Sequence, residues 1–372
     1  MTTKRDDAGR PPAPRRGSRP TIRDVAALAG VSKSAVSRVF NGQGGISEPT
    51  RERIQEAARK LGWSPSASAS ALRGERTRTI GLVIVQDPDA LAADQFFAET
   101  VVGLEHELGP REYGLRLHVI GPDPEQETAL YERLARERRV DAFILTDSRV
   151  GDARPDLLRR LGIPGLLIGR PWREGAVECV HSTGLEQAMA AAADHLVELG
   201  HRDIAYLAGP ADRVHIGLRR HRLERSLASH GLTLRALVDT ELTNEATAEA
   251  TRRLLDDPSD RPTAIIYAND TMALTGIATA QRMGLRVPED LSVIGHDDLP
   301  LGRWFHPRLT TISQDARAIS RTAARRLLTL LGEPVEPLPD PPPAELTIRE
   351  STAPAPQQRG PAPHDTAHRT AP

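Results

Sequence analysis

From about residue 79 to residue 332, short apolar runs rich in β-branched residues alternate with stretches of helical periodicity. Strands that are apolar on both faces must be covered on both, and covering them with intervening helices produces parallel βαβ units. The runs that read as strands are Ile80–Val85, Leu115–Ile120, Ala142–Thr146, Leu166–Gly169, Ile204–Ala208, Ala264–Tyr267 and Ser292–Gly295, with helical patterns such as Gln187–Leu199 and Thr271–Met283 between them. The expected class for this part is α/β, built on doubly wound parallel sheets. A proline-rich loop at 334–343 and a short strand at Leu346–Arg349 complete it, and 353–372 reads as a disordered polar tail. No repeat of the solenoid kind is present.

The N-terminal fifth has a different character. Residues 1–73 hold 14 Lys and Arg against 6 Asp and Glu, a net of +8, which leaves −9 for the rest of a chain whose total is −1. Arginine replaces lysine throughout, since only Lys4, Lys33 and Lys60 are lysines, but that bias cannot explain a change of sign near residue 73. A basic segment on an acidic body points to a polyanionic partner for the first segment alone. Residues 1–20, rich in Pro, Arg and Gly, read as a disordered basic tail.

Residues 21–63 read as three short helices. Thr21 caps the first, with Asp24 in a capping-box position, and Ile22, Val25, Ala26 and Ala29 form its inner stripe. Gly30 ends it, and Ser32 caps a second helix that turns Ala35, Val36, Val39 and Phe40 inward and leaves Lys33, Ser34, Ser37 and Arg38 on the opposite face. Asn41-Gly42 stops the second helix, and a third runs from about Thr50 to Leu61. Two short helices joined by a tight turn make a helix-turn-helix, an all-α unit whose second helix enters a major groove. Arg38 can donate two parallel hydrogen bonds to a guanine edge. Lys33 and Ser34 lie where base edges are read, while Ser37 and the capping residues Thr21 and Ser32 suit phosphate contacts, and Asn41 is a further candidate for DNA contact. The alternative is a helical protein-interaction module with a solvated charged face.

Residues 64–78 read as a hinge. The stretch ASASALRG is too short to be helical alone and carries one large apolar residue, Leu72, beside Arg73. In a dimer two such segments can fold together on DNA, with Leu72 as a minor-groove wedge. By composition alone the stretch is a flexible linker.

The run TIRDVAALAGVSKSAVSRVFNG at 21–42, continued by TRERIQEAARKLGWSPSASASALRGERTRTIGLVI to residue 84, resembles the lactose-repressor/galactose-repressor family of bacterial regulators. So do VDAFILTDSR (140–149), HLVELGHRDIAYLAGP (195–210), PTAIIYANDTMAL (262–274) and GLRVPEDLSVIGHDDLPLG (284–302). The resemblance spans roughly 21–352. It implies a ligand-binding and dimerisation domain over 79–352 of the periplasmic-sugar-binding-protein type, with two α/β subdomains joined by crossovers near 174, near 314 and at 335–345. It further implies a near-palindromic double-stranded operator, a homodimer or tetramer, and a sugar-like effector in the cleft. Carried over position by position, Phe96 is an aromatic wall, and Asp147, Arg219, Asn269 and Asp297 are its polar contacts. Two positions depart from the pattern. Arg222 stands where glycine is usual, and Gly184-Leu185 stand where an acid/amide or acid/acid pair is usual, so that these residues cannot orient the neighbouring helix or pocket in the usual way.

Other chemistries find little support. His201-Arg202-Asp203 spells a kinase tripeptide, but no phosphate loop or Asp-Phe-Gly accompanies it, and no Walker A, HExxH or GxSxG sequence occurs. The histidines lack ligand spacing, and the single cysteine, Cys179, excludes a disulfide framework and reads as a small packed hydrophobe. No cofactor or metal is expected. An enzyme acting on a sugar or nucleotide with an accessory helix-turn-helix, and a solute-binding protein of uptake, are the rival classes. No apolar run approaches the roughly 18 residues of a membrane span, and the N-terminus has no apolar signal region, so the expected location is cytoplasmic, at the nucleoid.

Overall fold

The computed structural model of the chain describes residues 20–40, 44–64, 76–86, 88, 91 and 94–356, in two units that meet in sequence at Thr77 and Arg78. The expected tails at 1–19 and 357–372, together with Asn41, Leu72 and Arg73, lie outside the described residues.

The first unit holds α1 (Ile22–Ala29), α2 (Lys33–Phe40) and α3 (Glu48–Leu61). The Asp24 carboxylate accepts from the Thr21 N–H at 2.8 Å and the Thr21 hydroxyl at 2.7 Å, and these two bonds hold its pKa below the usual carboxylate range. Ser32 Oγ accepts from the Ala35 N–H at 3.2 Å, satisfying a first-turn donor of α2. The third helix starts at Glu48, two residues before the expected Thr50, because Ser47 stands at its N-cap and Pro49 has the backbone angle a first turn needs. Val25, Ala26, Ala29, Val36, Val39, Ile54, Ala57 and Ala58 form the core, closed by an edge-to-face contact of Phe40 and Trp63 at 5.1 Å.

The second unit is built on two sheets. Its strands and helices run β1 (Thr79–Val85), α4 (Gln95–Leu108), β2 (Gly114–Ile120), α5 (Pro124–Arg136), β3 (Ala142–Leu145), α6 (Arg154–Leu161), β4 (Gly165–Ile168), β5 (Glu178–Val180), α7 (Leu185–Glu198), β6 (Ile204–Ala208), α8 (Val214–Ser229), β7 (Ala236–Asp239), α9 (Asn244–Leu255), β8 (Ala264–Tyr267), α10 (Asp270–Arg282), β9 (Ser292–Asp297), α11 (Pro300–Trp304), β10 (Thr310–Ser313), α12 (Ala316–Leu330) and β11 (Glu345–Thr347). The first sheet has the order β2-β1-β3-β4-β5 and the second β11-β10-β9-β8-β6-β7. All pairs are parallel except β10 with β11.

Three strands carried no apolar run strong enough to be read from sequence. β5 has three residues, β7 is a partly exposed edge, and β10 is Thr-Thr-Ile-Ser. Because β5 still belongs to the first sheet, the first crossover lies at 181–184 and not near 174. The chain returns to the first subdomain after β10, where α12 packs on α4. Their backbones approach so closely that a Cβ at Gly103 would stand 2.7 Å from the Arg317 carbonyl oxygen. Residues 331–344 lead back to β11, whose strand ends at Thr347, short of the expected Arg349.

The C-terminal segment is ordered further than expected. Residues 353–356 are not a free tail: the Ala353 N–H donates to Ser292 Oγ at 3.1 Å and the Ala355 N–H to the Leu199 carbonyl at 2.8 Å. His201, fully buried, lies under this strap with Thr263 Oγ1 at 2.9 Å, and Ser292 Oγ and the Ala353 carbonyl each at 3.0 Å. It is a fold-building residue that ties β6, β8, β9 and the strap together.

Candidate functional site

In the first unit, Thr21, Ser32, Lys33, Ser34 and Arg38 are exposed and Ser37 is half-buried. Lys33 and Ser34 occupy the first turn of α2 and Arg38 its last. Burial of Val36 and Val39 on the inner side leaves this basic, small-residue face outward. Ser32 and Ser34 have short side chains beside the N-terminus of α2, where backbone N–H groups favour anions.

In the second unit a cleft of about 610 Å³ opens between the subdomains, outside the carboxyl ends of β1, β3, β4, β6, β8 and β9. Phe96, Asp147, Arg219, Asn269 and Asp297 all line it. Phe96 stands half-buried in the first turn of α4, whose N-cap is Asp94. Asn269 caps α10, its Oδ1 accepting from the Met272 N–H at 2.8 Å. Arg219, 8% exposed, projects from α8 and donates through Nη1 to the Ala268 carbonyl at 2.8 Å. Its Nη2 lies 4.0 Å from Asp297 Oδ1, and Gln314 Nε2 donates to the same oxygen at 2.6 Å. Burial pushes the Asp297 carboxyl up to about 7, with Asp94 adding to the rise and Arg219 and Gln314 opposing it.

The subdomains also meet directly beside the cleft. Arg149 and Arg213 form an antiparallel bridge, in which the Val150 N–H donates to the Asp212 carbonyl at 2.7 Å and the Val214 N–H to the Ser148 carbonyl at 2.9 Å. Asp147, held at a positive φ of 54°, pairs with Arg213 Nε at 3.2 Å. His215 Nδ1 is 3.7 Å from the other oxygen of Asp147. Desolvation, then Arg219 and Arg213, push His215 down to about 3, so it is neutral at physiological pH.

The two departures have structural answers. Gly184 is the left-handed N-cap of α7, and a Cβ there would lie 2.9 Å from the Ala344 carbonyl, where the first and third crossovers touch. Leu185 adds an apolar side chain to the cleft wall. Arg222 forms an ion pair with Glu186 that ties α8 to α7. Asp94, Arg213, His215 and Gln314 were not anticipated. Asp94 and Gln314 flank helix starts, a weak signal, while Arg213 and His215 sit where no motif marks them. Among the described residues no group of three or more His, Cys, Asp and Glu is placed to hold a metal ion, and no helix is long and apolar enough to cross a membrane.

Residues 21–66 match the bacterial regulatory proteins of the lacI family, and residues 193–352 match the periplasmic binding protein-like domain. The HTH-type transcriptional repressor PurR of Aliivibrio fischeri (strain MJ11) is 34% identical over 312 residues, covering 83% of this chain and 90% of the relative. The structure of the lac repressor dimer bound to operator and the anti-inducer ONPF superimposes with a TM-score of 0.77 at 28% identity, over 90% of this chain and all of that one. A transcriptional regulator CelR–cellobiose complex gives 0.66 at 32% identity, with the same coverage. These relatives are regulators, and the rival readings as an enzyme or an uptake protein are set aside.

Proposed function

The chain belongs to the lacI family of bacterial regulatory proteins, and from that membership we propose how its own residues perform repression controlled by a small metabolite. Helix α2 enters the major groove, with Arg38, Lys33 and Ser34 reading base edges. Thr21, Ser32 and Ser37 hold phosphates, and Asn41 is a further DNA contact. Leu72 opens the central base step as a minor-groove wedge, with Arg73 beside it. A two-fold dimer reads a near-palindrome, one half-site for each copy. The chain acts in the cytoplasm, at the nucleoid.

The single observation that carries the ligand half of this reading is the cleft. It brings a carboxyl, an amide and a guanidinium from one subdomain against an aromatic and a carboxylate from the other. Such a set suits a small polyhydroxylated ligand, whose hydroxyls bond the polar groups while Phe96 covers a ring face. Ligand contact with both subdomains changes their relative position, and through the hinge the spacing of the two reading helices.

Selection of operator DNA from a random pool with the purified full chain tests the proposal. The selected site is then challenged with sugars, nucleosides and sugar phosphates. A near-palindrome released or gained with one compound supports both halves. Enrichment of no site at low salt refutes the assignment of α2, and a normal ligand titration by Asp297→Ala refutes that of the cleft.

A further inference from the structure

We propose that Glu127 is a positioning residue of the cleft: by neutralising Arg149 it lets the two subdomains join at the Arg149–Arg213 bridge. That bridge sets two residues of like charge directly opposite each other. Opposite partners in an antiparallel pair share one face, with Cβ atoms about 5 Å apart, and two cations there repel. Both side chains are largely buried, which strengthens the repulsion. Closure at this point therefore needs an acid for each guanidinium.

The two acids come from different places. Arg213 Nε has Asp147 Oδ2 at 3.2 Å, with Asp212 further off at 3.8 Å. Arg149 has Glu127, donating through Nη1 to Oε2 at 2.7 Å and through Nη2 to Oε1 at 3.4 Å. The buried Nε of Arg149 has no hydrogen-bond partner among the described residues. Asp152, the other acid near Arg149, is engaged by Arg154 Nε at 2.9 Å and Nη2 at 2.7 Å. Glu127 and Asp152 thus balance Arg149 and Arg154, and loss of the Glu127 charge leaves one uncompensated cation at the bridge.

Access separates Asp147 from Glu127. The Asp147 side chain lines the cleft and is 40% exposed, within reach of a ligand. Glu127, on α5, is 5% exposed and does not line the cleft. A ligand can compete for the first acid and cannot touch the second. Glu127 therefore sets the resting balance between joined and parted subdomains, and an effector acts on that balance through Asp147. A state populated only in part lowers the apparent affinity of a ligand that needs it by the same fraction. This consequence rests on the reading of the cleft as an effector site, whereas the state of the bridge is measurable without any ligand.

The test is hydrogen–deuterium exchange of the full chain, resolved to single amides by mass spectrometry. The Val150 and Val214 N–H groups make the two bonds of the bridge and report its opening. Amides of β3 and β6 report global unfolding. Native protein is compared with Glu127→Gln, Arg149→Gln and the double variant. Glu127→Gln is expected to speed exchange at both bridge amides roughly tenfold and to leave β3 and β6 unchanged. Arg149→Gln removes the repulsion itself, and Arg154 Nη1, 3.8 Å from Glu127, still faces the carboxylate. That variant and the double variant therefore keep native protection at the bridge. Where Glu127→Gln does not fold, Glu127→Asp, which draws the carboxylate back by one methylene, takes its place and speeds the same two amides. Equal acceleration by Arg149→Gln and Glu127→Gln would make the pair a plain strut. That result, no acceleration by Glu127→Gln, or no recovery in the double variant overturns the proposal and leaves the effector assignment of the cleft standing.

Discussion

Arg38 is the exposed guanidinium of the last turn of α2, and in the proposed contact with a guanine edge hydrogen-bond geometry would matter more than charge. Arg38→Ala is expected to weaken operator binding by about 1–3 kcal/mol and to relax one base position. Quantitative footprinting on operators altered base by base checks this, and a uniform loss across all sequences would reduce Arg38 to a phosphate contact. Asp297 presents a different physical problem, because its carboxyl is held near 7 by burial against an ordinary value of 3.8. A raised folded-state value means that the unfolded chain releases the proton first. The carboxyl's contribution to stability is therefore present below about pH 4 and is lost as pH rises to about 7. Asp297→Asn removes that loss. Its thermal midpoint relative to the native protein is expected to rise across this window and to stay level above it, and a pH-independent difference would show that Asp297 ionises normally.

At the scale of elements, the crossovers and the contacts beside the cleft decide how the subdomains can move. The antiparallel bridge of Arg149 and Arg213, with the Asp147–Arg213 ion pair, resists their separation. Asp147 serves both that pair and the cleft wall, so a ligand that bonds Asp147 competes with Arg213. On the other side, Gly184 allows the first and third crossovers to touch. Gly184→Ala forces a Cβ against the Ala344 carbonyl at a φ of 76°, and is expected to cost about 1–3 kcal/mol in urea unfolding. No change in the midpoint would mean that the crossovers can part freely. The proposed hinge makes its own prediction. Leu72→Ala is expected to weaken specific operator binding far more than binding to random DNA, since only the specific complex needs the opened base step. Equal losses on both DNAs would return residues 64–78 to a plain linker.

The whole molecule divides its charge between its tasks, with +8 in residues 1–73 and −9 beyond. Long-range attraction to a polyanion therefore acts on the N-terminal segment and not on the acidic remainder. Coupling between the two is reciprocal by linkage: if effector changes operator affinity by some factor, operator changes effector affinity by the same factor. Effector titrations with and without saturating operator should show that equality. Unequal factors would indicate a third state, such as dissociation of the dimer.

Sequence alone carried whatever depends on neighbours along the chain. The 3.6-residue stripes of α1 and α2, the Thr21–Asp24 cap and the apolar runs of β1, β6 and β8 are local signals, because burial of a helix face or a central strand leaves a period in the residues themselves. The ordered motifs also marked Phe96, Asp147, Arg219, Asn269 and Asp297, which come from separate strands and helices yet line one cleft. Other features were visible only in the folded chain. β5, β7 and β10 are short, edge or threonine-rich strands whose pairing comes from their neighbours in the sheet. The strap at 353–356 is held by β9, His201 and Leu199, and Asp94, Arg213, His215 and Gln314 take their chemistry from partners distant in sequence. His296 is the clearest case: a histidine in a strand has no role by its spacing. Only the fold buries its ring near Arg219 and Asp297, where desolvation holds it neutral.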